Sequence, residues 1–363
     1  MTLALVAAGG TGGHLFPAEA LAVALKKRGA SVALATDHRA AHYTGNEFGD
    51  QVHIVPSATL RGRGPLAYAR TVSMLAWGTL QSWAMLGRVK PDVVVGFGGY
   101  PTVPPVFAAS LRGIPTVIAD QNMVLGRANK FLAPRVTAIA SSFPDVRLEP
   151  ALKAKTTRTG NPVRPNVIAA SAAPYPALDA NSPIQLLVFG GSQGARVMAD
   201  IVPEAIQQLA SDFGPRLRIV QQARGEDLAR VAKAYRDANI IADVQPFFAD
   251  LPARMAQSHL IVSRSGASTV AELAVIGRPA ILVPLPHALD QDQLANAGVL
   301  EKAGAAIVVA QNEFTPERVA MELSALLSDP ARLAGMAAKA RTVGAPDAAE
   351  RLADLVLKVA GTI

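Results

Sequence analysis

Leu3-Ala-Leu-Val-Ala-Ala8 runs straight into Gly9-Gly-Thr-Gly-Gly-His14, and Ile184-Gln-Leu-Leu-Val-Phe189 runs into Gly190-Gly-Ser-Gln-Gly-Ala195. Each stretch is a short apolar strand pattern, then a glycine loop, then helical periodicity. Glycine lets the backbone come close to a ligand, and the N-terminus of the following helix offers unpaired N–H groups to an anion. Two such junctions predict two Rossmann-like halves with a cleft between them. That is the layout of an enzyme joining two phosphate-bearing substrates.

Working outward, apolar runs bounded by Gly, Pro or Asp predict strands at 2–8, 31–36, 52–56, 92–97, 116–120 and 136–140. A second set falls at 184–189, 217–222, 243–247, 260–264, 280–284 and 305–309. Helical patterns lie between them, the first over 15–28 with Gly29 as its C-cap, and others over 316–327, 330–341 and 347–360. This alternation predicts an α/β fold of doubly wound parallel sheets. The proline-rich, aperiodic stretch 161–183 reads as a linker.

The composition agrees. At 363 residues the chain exceeds one ordinary core, and 50% hydrophobic against 17% charged residues describes a well-buried globular protein. There is no cysteine, which excludes a disulfide framework and a thiolate metal site and fits a reducing cytoplasm. The first eight residues lack a basic leader region and read as a strand, and no apolar stretch is long enough to span a bilayer. The net charge of +7 favours anionic lipid or phosphorylated substrates. Its basic residues are scattered without a basic–aromatic stripe, which argues against nucleic acid.

The first glycine loop departs from the dinucleotide fingerprint, because Leu15 stands where the third glycine belongs; Asp37 therefore gains little as a ribose ligand. Its glycine density still argues for close approach of a ligand. His14 falls at the start of the first helix, where a neutral imidazole can accept a proton or simply bond a neighbouring backbone group. Gly96-Phe-Gly-Gly-Tyr100 follows the fourth strand at the same sheet edge, and the two loops together suit a diphosphate. Asp120-Gln-Asn122 ends the fifth strand, placed either to bond sugar hydroxyls or to cap the next helix.

In the second half, Ser192 adds a hydroxyl to the glycine loop. Arg264-Ser-Gly-Ala-Ser-Thr-Val-Ala-Glu272 looks like a third anion loop, with Ser268 or Thr269 near a helix start. Glu272 suits a ribose diol, or is a first-turn acid favoured by the helix dipole. Asp290-Gln-Asp-Gln293 reads as a solvated loop rather than a metal site, and His38, His42, His53, His259 and His287 lack zinc spacing. Residues 61–90 hold both tryptophans, Trp77 and Trp83, with Met74, Leu75, Leu80, Met85 and Leu86, flanked by Arg61, Arg63, Arg70, Arg88 and Lys90. The segment is either an interfacial helix on an anionic membrane or a core helix.

Five motifs in order, Gly-Gly-Thr-Gly-Gly-His, Gly-Phe-Gly-Gly-Tyr, Gly-Asn-Pro-Val-Arg, Gly-Gly-Ser-Gln-Gly-Ala and Arg-Ser-Gly-Ala-Ser-Thr-Val-Ala-Glu, span residues 9 to about 304. Together they resemble the MurG family, the peptidoglycan N-acetylglucosaminyltransferases that turn lipid I into lipid II. The resemblance implies a GT-B fold with an acceptor and membrane domain over 1–162, completed by a C-terminal helix at 345–363, and a UDP-GlcNAc domain over 163–344. It implies donor contacts from Thr11, Gly12, Gly13, Asn122, Arg164 and Ser192. Further donor contacts are Phe248 through its backbone, Ala267, Ser268, Thr269, Val270, Ala271, Glu272 as the ribose reader, and Gln293 at the sugar.

Gly13, His14, Gly98, Gly99 and Tyr100 would hold the acceptor diphosphate, and Trp77, Leu80 and Trp83 the cytoplasmic face of the inner membrane. His14 is the candidate base and Asp120 the reserve; no cofactor or metal is expected. Cell-wall synthesis and division proteins are candidate partners. Two departures from the family pattern stand out: Ala119-Asp120-Gln121-Asn122 replaces a common His-Glu-Gln-Asn, and Asp292 stands where a second glutamine can. Other readings are a UDP-GlcNAc 2-epimerase of the same fold and a non-catalytic UDP-sugar-binding membrane protein.

Overall fold

Parallel strands, buried on both faces except at the two edges, build the first sheet: β1 (Leu3–Ala7), β2 (Ser31–Thr36), β3 (Val52–Ile54), β4 (Val93–Gly96), β5 (Thr116–Asp120), β6 (Ala138–Ser141) and β7 (Thr156–Arg158). These come from a computed structural model that describes residues 1–9, 12–38, 48, 51–57, 64–143, 148–191, 194–286 and 291–362, without the side chains of 65–68. The strand order is β3-β2-β1-β4-β5-β6-β7. A second sheet holds β8 (Ile184–Phe189), β9 (Leu217–Gln222), β10 (Ile241–Gln245), β11 (Leu260–Ser263), β12 (Ala280–Leu282) and β13 (Ala306–Val308), in the order β10-β9-β8-β11-β12-β13. The chain thus forms two compact units, Met1–Arg164 with Ala345–Ile363, and Pro165–Gly344.

Both sheets reverse their strand order once, between β1 and β4 and between β8 and β11. At such a reversal the loops leaving the carboxyl ends diverge to opposite faces and open a crevice. Ala7 pairs with Gly96, and Phe189 with Ser263, so the loops after these strands start side by side. The glycine motifs stand at these loops for that reason.

The period-two alternation of β1 sorts its side chains into two layers. Ala4 and Val6 face Leu21 and Leu25 of α1 (Gly12–Lys27) and Leu352 and Val356 of the C-terminal helix Ala348–Val359. Leu5 and Ala7 face the other layer, with Met85 and Leu86 of α2 (Pro65–Val89), Val106 of α3 (Val103–Leu111) and Leu132 of α4 (Arg127–Leu132). In the second unit Ile184, Leu186 and Val188 of β8 meet Met198 and Val202 of the helix Arg196–Gln208.

Three expectations are corrected. The first helix opens at Gly12, inside the glycine loop, though it ends as expected: Gly29 sits at φ 77 and its N–H bonds Lys26 O at 2.9 Å. Strand β7 was missed because an edge strand that is half exposed needs no apolar run. The stretch read as a linker contains a helix, Pro165–Ser171, which the proline opens and Val167 anchors.

Glycines fix two close approaches. A Cβ on Gly160, at φ 86, would lie 2.6 Å from Ala345 Cβ, close to where the chain leaves the first unit and returns to it. A Cβ on Gly78 would lie 2.1 Å from the Pro56 carbonyl oxygen, so α2 seats directly on backbone. Gly78→Ala is expected to destabilise the first unit by roughly 1–3 kcal/mol through overpacking, read as a lower thermal midpoint. An unchanged midpoint would mean that α2 does not seat there.

Candidate active site

Two glycine loops close on one imidazole. His14 lies in the first turn of α1, which Gly12 and Gly13 open. Gly98 and Gly99 follow β4 with φ of 88° and 74°, a region that disfavours any side chain. A Cβ on Gly98 would lie 3.5 Å from His14 Cε1, and one on Gly99 would lie 3.3 Å from His14 Cδ2. The loop is held from below by Thr102, whose hydroxyl donates to Ala7 O at 3.1 Å and Gly98 O at 2.7 Å. Tyr100 opens the short turn Tyr100–Thr102 and is half buried.

The end of β5 meets the same imidazole. His14 Nδ1 lies 3.0 Å from Gln121 Oε1, and Gln121 Nε2 donates to Ala119 O at 2.8 Å. Beside it, Asp120 is 3% exposed and accepts three hydrogen bonds: Asn122 N–H at 3.0 Å on one oxygen, and Gly126 N–H at 3.0 Å and Asn129 Nδ2 at 2.8 Å on the other. Burial pushes the Asp120 carboxyl up, against these bonds, which favour its charged form. Its side chain therefore organises the turn that leads into α4.

In the second unit the glycine loop after β8 brings Gly190 close to Ala195. A Cβ on Gly190 would lie 2.1 Å from Ala195 N, and Gly191 and Gly194 have φ of 87° and 66°. Gln222 braces it, accepting from Gly190 N–H at 3.1 Å and donating to Pro246 O at 3.2 Å. After β11, Ser265 Oγ donates to Gln293 O at 2.8 Å, and Gln293 Oε1 accepts from Leu285 N–H at 3.0 Å. The Gln293 side-chain oxygen is thus engaged. The helix Ala267–Ile276 follows directly and carries Ser268, Thr269, Val270, Ala271 and Glu272.

Residues 4–141 match the glycosyltransferase family 28 N-terminal domain, and residues 185–352 match the family 28 C-terminal domain. The chain is 61% identical, over 99% of its length and 96% of theirs, to a Rhodopseudomonas palustris (strain BisB18) protein named UDP-N-acetylglucosamine–N-acetylmuramyl-(pentapeptide) pyrophosphoryl-undecaprenol N-acetylglucosamine transferase. A Nitrobacter hamburgensis protein of the same name is 61% identical over 99% of this chain and 97% of its own. The crystal structure of Acinetobacter baumannii MurG superposes with a TM-score of 0.79 at 29% identity, covering 99% of this chain and 100% of that one. The chain belongs to the MurG family.

UDP-GlcNAc 2-epimerase from Neisseria meningitidis shares only the fold with this MurG-family chain, at a TM-score of 0.70 and 16% identity over 99% of this chain and 100% of that one. Of the residues implied by the MurG resemblance, Thr11 and Ser192 lie outside the described residues, as do Arg61, Arg63 and Asp290. Asn122 stands in the turn organised by Asp120. Arg164 stacks over Phe16 of α1 at 4.0 Å. The Phe248 ring is buried under the Arg254 guanidinium at 4.4 Å, which leaves its backbone for contact.

Two sequence readings are overturned. Glu272 lies beyond the first turn of its helix and is 6% exposed, so the dipole does not account for it. Asp292 and Gln293 are not in a solvated loop; they open the helix Asp292–Lys302. The described part of the 61–90 segment, α2, is buried on one side and exposed on another. Met85 and Leu86 are core, whereas Val72, Trp77, Leu80 and Trp83 are 48%, 55%, 64% and 40% exposed. Arg112 stacks on Trp83 at 4.3 Å, which puts a cation beside the row, and Arg135 stacks on the exposed Phe131 of α4 at 4.9 Å. Among the described residues no helix is long and apolar enough to cross a membrane.

Sequence reading missed Gln121, Asn129 and Gln222. Each acts through an amide that bonds backbone or a buried acid, and only its place at a strand's carboxyl end or in the following helix hints at it.

Proposed function

We propose that this chain transfers N-acetylglucosamine from UDP-N-acetylglucosamine to the C4 hydroxyl of N-acetylmuramic acid in the undecaprenyl-pyrophosphoryl pentapeptide acceptor, turning lipid I into lipid II. The observation that carries this reading is the full-length likeness to transferases of that name. The C4 oxygen attacks C1 of the α-linked sugar from the far face while the bond from C1 to the β-phosphate oxygen breaks. The electron pair of that bond leaves with UDP, and the β-1,4 product forms with inversion. His14 Nε2 takes the hydroxyl proton. Asp120 is the weaker candidate for the base, because it is buried with both oxygens bonded.

The donor is held by the second unit. Backbone N–H groups of the loop Gly190–Gly194 and the start of the helix Arg196–Gln208 meet the diphosphate, where charge develops as the bond breaks. Ser192 adds its hydroxyl. Phe248 reads the uracil through its backbone, Ala267, Ser268, Thr269, Val270 and Ala271 line the nucleotide, Glu272 takes the ribose diol and Gln293 the sugar. Thr11, Gly12, Gly13, Asn122 and Arg164 complete the donor contacts. Gly13, His14, Gly98, Gly99 and Tyr100 hold the acceptor diphosphate.

UDP release measured with and without a short-chain lipid I analogue tests the reading. Acceptor-dependent release is expected. Conversion of UDP-GlcNAc without acceptor would instead mark an epimerase, and donor binding with no release a binding module.

The exposed row Val72, Trp77, Leu80 and Trp83, with Arg112 beside it, seats the enzyme peripherally on the anionic cytoplasmic face of the inner membrane. There the lipid acceptor and cell-wall synthesis and division proteins meet it. Trp77→Ser with Trp83→Ser is expected to weaken co-sedimentation with phosphatidylglycerol vesicles about tenfold or more, since each indole buries apolar area worth over a kcal/mol. UDP affinity stays as in the wild type. Undiminished sedimentation would remove this face as the membrane contact.

A further inference from the structure

We infer that Gln121 is a positioning residue that fixes His14 in the Nδ1–H tautomer and so leaves Nε2 bare to accept the hydroxyl proton. This rests on the reading of His14 as the base. A backbone carbonyl oxygen can only accept a hydrogen bond. Because Gln121 lies 2.8 Å from Ala119 O through one terminal atom, that atom must be the NH₂. The other terminal atom is then the carbonyl oxygen, 3.0 Å from His14 Nδ1. Two lone pairs at that distance repel, so Nδ1 carries the hydrogen. A neutral imidazole has a single N–H, and Nε2 is therefore the basic nitrogen. Among the described residues Nε2 takes no hydrogen bond.

Three features keep the arrangement from relaxing. Gln121 is 3% exposed, so a flipped amide would face Ala119 O with its own oxygen and find no water to compensate. Ala119 is held in register with Ala140 between strands, so its carbonyl is fixed. Gly98 and Gly99 pack against the ring and oppose its rotation.

The choice of an amide also matters chemically. After proton uptake the Nδ1–H···Oε1 bond persists unchanged, so nothing reorganises. A carboxylate in the same place would keep the tautomer yet hold the imidazolium by charge, raising its affinity for the proton. Among the described residues, Asp120 at the end of β5 interacts electrostatically with His14, and Tyr100 adjoins Gly99 on the facing loop; both stay in every variant below.

The test is nitrogen-15 NMR of the imidazoles in the full chain without substrates, with His14→Gln identifying the His14 signals. The wild type is expected to show Nδ1–H alone at His14. Gln121→Met should admit the Nε2–H form and lower kcat about tenfold while leaving the KM for UDP-N-acetylglucosamine unchanged. Gln121→Glu should restore the Nδ1–H tautomer and move the acid limb of kcat upward by about one pH unit. A wild-type spectrum with Nε2–H, or a Gln121→Met protein that keeps Nδ1–H alone, overturns the inference. The tautomer is read without turnover, so failure of the base reading shows separately, as full transfer by a His14→Ala enzyme.

Discussion

His14→Ala is expected to lower the rate of sugar transfer about 10²–10⁴-fold, the usual cost of losing a placed general base. UDP-N-acetylglucosamine should bind that variant much as it binds the wild type, because the nucleotide contacts proposed for the donor lie chiefly in the second unit. The size of the effect follows from the absence of a substitute among the neighbouring groups described. Asp120 is buried with three hydrogen bonds on its carboxylate, and Gln121 has no basic atom. Single-turnover rates with saturating acceptor measure it, since they exclude slow product release. A drop confined to the acceptor KM would mean that His14 only binds the acceptor diphosphate. The acid limb of the rate profile should also flatten in the variant.

Glu272→Ala is expected to raise the KM for UDP-N-acetylglucosamine roughly a hundredfold, since hydrogen bonds to a charged group each contribute about 1.5–3 kcal/mol. Glu272 is 6% exposed in the second turn of the helix Ala267–Ile276. A ribose diol can donate two hydrogen bonds to a carboxylate, which accepts only. Glu272→Gln keeps the shape with one acceptor oxygen and should fall between the two enzymes. A 2′-deoxyribose donor sharpens the test: the wild type should use it poorly, and the alanine variant should treat both donors alike. Equal use of both donors by the wild type would refute the ribose assignment.

The strand-to-glycine junctions at Ala8 and Phe189 announced both sheets because backbone geometry itself demands glycine there. Strand β7 and the helix Pro165–Ser171 did not announce themselves: one is a half-exposed edge, the other a short helix among prolines. Within the site, His14 and the glycines beside it were legible for the same backbone reason. Gln121 and Gln222 were not, because an amide whose partner lies far along the chain, the His14 ring or the Pro246 carbonyl, leaves no period in the sequence. Glu272 shows the limit most clearly. Its spacing alone allowed a dipole-favoured acid, and only its burial beyond the first turn removes that account. The two faces of α2 could have been separated from the sequence, since Leu80 lies about 140° and 120° round the helix from Met85 and Leu86 at its angular repeat.

The return of the chain at Ala345, packed against Gly160, makes the second unit an insertion within the first. A ribosome therefore completes Pro165–Gly344 while the first sheet still lacks one of its covering helices. Leu21 and Leu25 wait for Leu352 and Val356, which are made only after the whole second unit. The common order, in which the earlier domain finishes folding first during synthesis, is inverted here. A nascent chain stalled just past Gly344 would carry a complete second unit and a first unit whose Leu21 and Leu25 are still uncovered.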